Sequence, residues 1–208
     1  MTPLLLGLSG LTITDDERAL FKAADPAGYI LFARNIDTPD QVRALTADLR
    51  ALSGRDDLPI LIDQEGGRVA RLGPPHWPLF PPARRFGEVF GIAPVTAIEA
   101  ARLNAKAIAV TLADLGISVD CLPVLDVPVP GAHDIIGDRA YALEPGTVAS
   151  LGDATLRGLR AGGVVGVVKH IPGHGRAAAD SHLELPVVTA GIAALEADFA
   201  PFRALASA

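Results

Sequence analysis

The stretch Gly163-Val164-Val165-Gly166-Val167-Val168 is a short apolar run rich in β-branched residues, and Lys169-His170 follows it directly. Such a run predicts a strand buried on both faces of a parallel sheet. Four similar runs come earlier in the chain, at residues 4–8, 28–32, 59–62 and 118–124. We therefore expect five parallel strands, with residues 164–169 as the fifth.

Helical stretches alternate with these strands. Capping-box patterns begin at Thr14 and Thr38, and a third helix is predicted to open at Thr96. Two more helices are expected, over 145–161 and from about residue 190 to the end of the chain. A repeating βα pattern predicts either an open doubly wound sheet or a closed (β/α)8 barrel. A barrel needs eight units, so it fits only if the chain is a part of one. The apolar helical pattern that runs to the last residues favours a chain that is part of such a barrel.

Residues 73–94 interrupt this alternation, and they are rich in proline and aromatic residues. The stretch is too apolar for a disordered linker. We expect an ordered excursion packed over the barrel mouth, and a functional lid and a plain structural loop are equally open.

Composition excludes several classes of protein. The formal net charge of −6 argues against a nucleic-acid surface, and no apolar run reaches the length of a membrane span. The single cysteine, Cys121, cannot form an internal disulfide and is expected to be buried. A cytoplasmic protein that binds neither nucleic acid nor membrane is the expectation.

Two groups of polar residues follow the third and fourth predicted strands. Asp63 and Arg71 come after the third strand and could bind the hydroxyls of an oxygen-rich ligand. The alternative is structural, with Asp63 capping the loop and Glu65 pairing with an arginine. After the fourth strand, Arg139 is a candidate ligand contact with Asp138 as its orienting partner. A simple surface ion pair is equally open there.

The third group is Lys169-His170-Ile171-Pro172-Gly173-His174-Gly175, with Asp180-Ser181-His182 after it. A carboxylate beside an imidazole fixes its tautomer and supports it as a proton carrier near neutral pH. Asp180 and His182 are two residues apart and would project to the same side of an extended chain. A metal site is the alternative, with His170 and His174 among its ligands. Lys169 would oppose a bound cation, so we expect no metal and no cofactor.

Together these motifs resemble glycoside hydrolase family 3, and most closely its bacterial cytosolic β-N-acetylhexosaminidases of peptidoglycan recycling. The matching segments are Ile62-Asp63-Gln64-Glu65-Gly66-Gly67-Arg68-Val69 with Arg71, then Gly137-Asp138-Arg139, then the lysine and histidine group. The resemblance covers essentially the whole chain. It implies that residues 1–208 are the N-terminal part of a single catalytic barrel, with about the first five βα units of a (β/α)8 fold.

The resemblance also implies the site. His182 becomes the acid/base and Asp180 its partner, as the catalytic residues of a retaining hydrolase. The implied sugar-binding residues are Asp63, Arg71, Arg139, Lys169 and His170. The implied substrate is a small carbohydrate, a muropeptide that contains N-acetylglucosamine at its non-reducing end.

One element of the family is not matched. The family nucleophile is an aspartate on a later strand, and no segment here corresponds to it; Asp126 is not its counterpart. We therefore expect this chain by itself to be inactive. Phosphorolysis on the same scaffold and a non-catalytic sugar-binding fragment are the alternative functions. The resemblance leaves the oligomeric state undecided.

Overall fold

The computed structural model describes residues 1–131, 134–170, 173–177 and 185–206. Its centre is a parallel five-stranded sheet whose spatial order β1-β2-β3-β4-β5 follows the chain. Its strands are β1 (Thr2–Gly7), β2 (Pro26–Leu31), β3 (Ile60–Ile62), β4 (Val119–Asp120) and β5 (Val165–Gly166). Sequential parallel neighbours are the arrangement from which a (β/α)8 barrel is built.

Six α-helices connect or follow these strands: α1 (Asp15–Ala24), α2 (Pro39–Ser53), α3 (Ala83–Phe90), α4 (Pro94–Asp114), α5 (Pro145–Ala161) and α6 (Ile192–Leu205). Thr14 closes a complete capping box with Glu17, as predicted. Thr38 also caps its helix, but the side chain of Gln41 accepts from the backbone of Asp37 instead of from Thr38. The predicted start at Thr96 is wrong, because α4 begins at Pro94, a residue well suited to the first helical turn.

The last two strands are shorter than predicted. Pro123 has no N–H to donate, and the backbone of Leu122 turns back to bond the carbonyl of Asp120. Pairing resumes beyond this interruption at a parallel bridge between Val124 and Lys169. The polar residues after β5 therefore still emerge at the same end of the sheet as those after β3.

Burial follows the position of each strand in the sheet. All three residues of β3, at its centre, are buried. The expectation of burial on both faces is wrong for the two outer strands: Leu5 in β1 is 51% exposed and Val165 in β5 is 65% exposed. Within the described residues each outer strand pairs with one neighbouring strand on one edge only, so fewer side chains cover it than cover β3.

The excursion over residues 73–94 is ordered, as predicted, and it contains α3. Trp77 is buried in the main hydrophobic core. The backbone N–H of Gly67 donates to the carbonyl of Phe80 at 2.8 Å, and a Cβ on Gly66 would lie 2.5 Å from the carbonyl oxygen of Pro81. The excursion therefore packs directly on the turn that follows β3.

Cys121 was expected to be buried, but it is half-buried. Burial raises the pKa of its thiol to about 11, so the thiolate form is scarce at neutral pH. Among the described residues, no helix is long and apolar enough to cross a membrane.

Candidate active site

The carboxyl ends of β3, β4 and β5 bring charged side chains to one edge of the sheet. Asp63 follows β3 directly, Asp126 lies in the loop after β4, and Lys169 lies three residues beyond β5. Arg139 comes from a short 3-10 turn, Gly137–Arg139, in the long connection between β4 and α5. Parallel α/β folds place ligand sites at this end of the strands.

Lys169 connects two carboxylates at the centre of the site. Its Nζ lies 2.8 Å from Oδ1 of Asp63 and 2.6 Å from Oε1 of Glu65. The guanidinium of Arg139 donates two parallel bonds of 2.8 Å to Glu65, and Arg71 donates to Oδ2 of Asp63 at 3.2 Å. The five groups therefore form one continuous network of alternating charge.

Burial and charge oppose each other in this network. Burial disfavours the ionised carboxylates of Asp63 and Glu65, but their cationic partners outweigh it, so the pKa of each lies below its usual value. Lys169 shows the same balance: burial disfavours its charge, and the two carboxylates still hold its pKa above the usual value. All three groups are thus charged at neutral pH.

His170 is oriented by a buried aspartate. The carboxylate of Asp126 lies 2.7 Å from Nδ1 of His170 and also accepts the backbone N–H of that residue at 3.3 Å. Because a carboxylate accepts, Nδ1 carries a proton, and Nε2 of the neutral ring is left as an acceptor. Nε2 lies 3.4 Å from Arg139, and the ring of His174 packs edge-on with its centroid 5.2 Å away.

A buried glutamine fixes the loop that carries Arg71. Oε1 of Gln64 accepts the backbone N–H groups of Arg71 and Leu72 at 2.8 and 2.9 Å, and its amide donates to the carbonyl of Leu72 at 3.0 Å. The backbone N–H of Gln64 itself donates to Asp120, which is buried in β4. The loop after β3 is therefore tied to itself and to the neighbouring strand.

These groups surround a cavity of about 340 Å³. Its lining residues are Asp63, Glu65, Arg68, Val69, Arg71, Ile135, Arg139, Lys169, His170 and His174. The structure thus brings together all five residues predicted to bind sugar. A cavity lined by fixed charges and an imidazole suits a ligand with many hydroxyl groups.

One prediction is corrected, and one part of the structural alternative is not found. Asp138 does not orient Arg139: its carboxylate pairs with Nε of Arg68 at 2.9 Å, and Glu65 pairs with Arg139 instead. Asp63 does not cap its loop, because it accepts from Lys169 and Arg71. The ion pair of Glu65 with an arginine, given as the structural alternative, is present.

Three carboxylates that the sequence reasoning did not assign to the site belong to it or to its base. Glu65 joins Lys169 to Arg139, Asp126 orients His170, and Asp120 receives the backbone of Gln64. Their place in the sequence could have identified them, since each lies in or just after a strand that ends at the site.

The predicted catalytic pair, Asp180 and His182, lies outside the described residues. Within the described ranges, no three His, Cys, Asp or Glu side chains are grouped so that they could hold a metal ion.

Comparison with known proteins identifies the family. Residues 5–208 match the family 3 glycosyl hydrolase N-terminal domain. The chain belongs to glycoside hydrolase family 3. The fold class predicted from the sequence, the first βα units of a TIM-type barrel, is confirmed by solved members of this family.

A beta-hexosaminidase of Nitrosomonas eutropha is 39% identical over 202 residues, which are 97% of this chain and 57% of that protein. NagZ from Neisseria gonorrhoeae in complex with N-trifluoroacetyl-D-glucosamine is 33% identical with a TM-score of 0.92, covering 99% of this chain and 60% of that one. The same NagZ has been solved in complex with zinc ion, with a TM-score of 0.90, 32% identity and coverage of 99% and 60%. This family 3 chain spans a little over half the length of these relatives.

Proposed function

We propose that this chain supplies the sugar pocket and the proton-transfer groups of a retaining β-N-acetylhexosaminidase. Such an enzyme removes terminal, non-reducing β-linked N-acetylglucosamine. The observation that supports the proposal best is the charged cavity in which Asp63, Lys169, Arg139 and His170 converge. Residues 1–208 are proposed to be the N-terminal part of one catalytic barrel.

The pocket residues offer complementary hydrogen-bonding roles. Asp63 would accept from sugar hydroxyls, whereas Lys169 and the two arginines would donate to sugar oxygens. Nε2 of His170 is a further acceptor, and its direction is set by Asp126. Asp63, Lys169 and the two arginines already have partners of opposite charge, and His170 is held by its hydrogen bond to Asp126. A bound sugar therefore meets side chains that need little reordering.

The proposed chemistry uses His182 as acid/base and Asp180 as the group that orients it. In the first step, His182 protonates the departing oxygen while an aspartate attacks the anomeric carbon. In the second, His182 accepts a proton from the water that releases the sugar. No residue of this chain is matched to the attacking aspartate, which we propose lies on a strand after Ala208 in the sequence of the complete enzyme.

The leaving group would extend toward a second cavity of about 320 Å³. This cavity shares Arg71 with the sugar pocket, and its other lining residues include Asp37, His76 and Trp77. A muropeptide is the proposed natural substrate, and the proposed setting is peptidoglycan recycling in the cytoplasm. Support comes from the family, whose relatives are named beta-hexosaminidases.

The test is product analysis on 4-nitrophenyl β-N-acetylglucosaminide, using the protein as encoded with any residues that its reading frame adds after Ala208. Free N-acetylglucosamine with retained β-configuration, formed at equal rates with and without phosphate or a chelator, is the expected result. A sugar phosphate as product would show a phosphorylase. Loss of activity with chelator would show a metal enzyme, and binding without turnover would show a sugar-binding protein.

A further inference from the structure

The 3-10 turn His174–Arg176 is held on one side by the loop after β4. The backbone N–H of Val129 donates to the carbonyl of Gly175 at 3.3 Å. A Cβ on Gly175 would lie 2.5 Å from the carbonyl oxygen of Val127, which is closer than real Cβ contacts. The turn therefore packs backbone to backbone, with no space for a side chain at this position.

On its other side the turn is held by α6. Nε of Arg176 donates to Oδ2 of Asp198 at 2.5 Å, and Nη2 of Arg176 donates to the carbonyl of Ala194 at 2.8 Å. The side chain of Asp198 is 2% exposed, so this is a buried ion pair, and removal of either partner would leave the other without it. Two donors aimed at two acceptors on one helix set the direction as well as the distance of the turn.

The same turn reaches the candidate active site. The ring of His174 packs against His170, whose other neighbours are Asp126 and Arg139. In the sequence, Ala177 ends the described segment five residues before His182, the proposed acid/base. A shift of the turn would therefore act on the sugar pocket and on the start of the segment that leads to His182.

We propose that Asp198 of α6 is a positioning residue for proton transfer. Through Arg176 it sets the place of the turn that carries His174 and precedes His182. This inference rests on the proposed function for its effect on turnover. A merely structural role would require only that the space between α6 and the turn be filled.

Apolar replacement separates the two roles. A buried ion pair replaced by apolar side chains of similar size is often as stable as the original. The double variant Arg176→Met/Asp198→Leu should therefore stay folded while losing the directed bonds. On the same helix, Glu196 pairs with Arg203 at an exposed position, so Glu196→Gln is the matched control.

The first test measures kcat/KM of the protein as encoded, which reports the step in which the leaving group departs and not the later release of the sugar. It uses two β-N-acetylglucosaminides, one with a 2,4-dinitrophenyl and one with a methyl leaving group. Asp198→Asn and the double variant should lose roughly 10- to 100-fold on the methyl glycoside. They should lose less than about 3-fold on the dinitrophenyl glycoside, whose leaving group departs without a proton. Glu196→Gln should match the wild type. Equal losses of kcat/KM on both substrates, or a wild-type kcat/KM of the double variant on the methyl glycoside, would overturn the inference.

The second test needs no turnover. The imidazole NMR resonances of His170 and His174 should shift in Asp198→Asn and in the double variant, and stay in place in Glu196→Gln. Unchanged imidazole resonances in a folded Asp198→Asn protein would also overturn the inference. If the wild type hydrolyses neither glycoside, the proposed function fails on its own, and the imidazole resonances decide the role of Asp198.

Discussion

At the scale of single residues, the site depends on which carboxylates stay ionised. Asp63 and Glu65 are held in the charged form by Lys169, Arg71 and Arg139, although burial opposes it. At Asp120, deeper in the sheet, burial dominates: the one backbone N–H that Gln64 donates does not offset it, and the pKa of the carboxyl lies well above its usual value. The pKa values of neighbouring carboxylates thus move in opposite directions, for reasons that can be read from their surroundings.

Replacement of Asp63 by Asn tests the charged network. The amide keeps the shape but cannot match the charges of Lys169 and Arg71, and bonds to charged groups contribute about 1.5–3 kcal/mol. We expect kcat/KM on an aryl N-acetylglucosaminide to fall by roughly 10- to 100-fold, with both a higher KM and a lower kcat. Asp114→Asn, which removes an exposed carboxylate paired with Arg43, is the control and should have no effect. Unchanged kinetics for Asp63→Asn would place the sugar elsewhere.

Asp120 gives a prediction about pH. Burial raises the pKa of its carboxyl well above the usual range. Below about pH 4 the group is protonated in both the folded and the unfolded protein. As pH rises from there toward the folded pKa, the unfolded chain ionises first, so the wild type loses stability.

Asp120→Asn removes this titration. The free energy of unfolding of the variant minus that of the wild type should therefore increase with pH across that window and then level off. Urea unfolding at a series of pH values measures it. A difference that does not vary with pH would mean that Asp120 ionises as easily in the folded protein as in the unfolded one.

At the scale of elements, the number and order of strands could be predicted, and their ends could not. Apolar runs mark β2 and β3 well because both are buried by neighbours that resemble them. Strands β4 and β5 stop early because a proline and a backbone turn interrupt the hydrogen bonds between them. The strand propensity of one segment does not show where its pairing with the neighbouring strand breaks. The same limit applies to α3, since its proline-rich surroundings hide a helix stabilised by packing.

The site shows the same division. The sequence brought Asp63, Arg71, Arg139, Lys169 and His170 forward because they follow strand ends, and the structure gathers them around one cavity. Pairing within the site could not be predicted, because Asp138 and Glu65 are equally plausible partners of Arg139 until the loops are placed. Their binding of sugar remains a prediction, as do the roles of Asp180 and His182.

Helix packing provides a prediction in which two effects oppose each other. Ala is a better helix former than Gly by about 1 kcal/mol, which favours Gly158→Ala in α5. A Cβ there would lie 2.3 Å from the carbonyl oxygen of Arg102 in α4, so the two helices would have to separate. Overpacking costs about 1–3 kcal/mol and should dominate.

Thermal unfolding should therefore show a lower Tm for Gly158→Ala. Gly146→Ala in the same helix, where a new Cβ meets nothing within 4 Å, should be neutral or slightly stabilising. Equal Tm values for the two variants would show that α4 and α5 are free to move apart.

At the scale of the whole molecule, the outer strands β1 and β5 are exposed and the chain spans a little over half of its relatives. In a closed barrel both edges would pair with later strands, which would bury Leu5 and Val165. We expect residues 1–208 expressed alone to associate with one another and to hydrolyse no glycoside. Size-exclusion chromatography and an aryl-glycoside assay measure both properties, and a monomeric, active protein would contradict both expectations.

The central claim is that a histidine of this chain transfers the proton in the hydrolysis of terminal β-linked N-acetylglucosamine. Its most direct test is kcat of His182→Ala in the protein as encoded, with Asp180→Ala and the double variant measured beside it. The claim predicts a loss of roughly 10²–10⁴-fold for His182→Ala on a glycoside whose leaving group needs a proton, and no additive loss in the double variant. Near-normal turnover by His182→Ala, or fully additive losses, would contradict it.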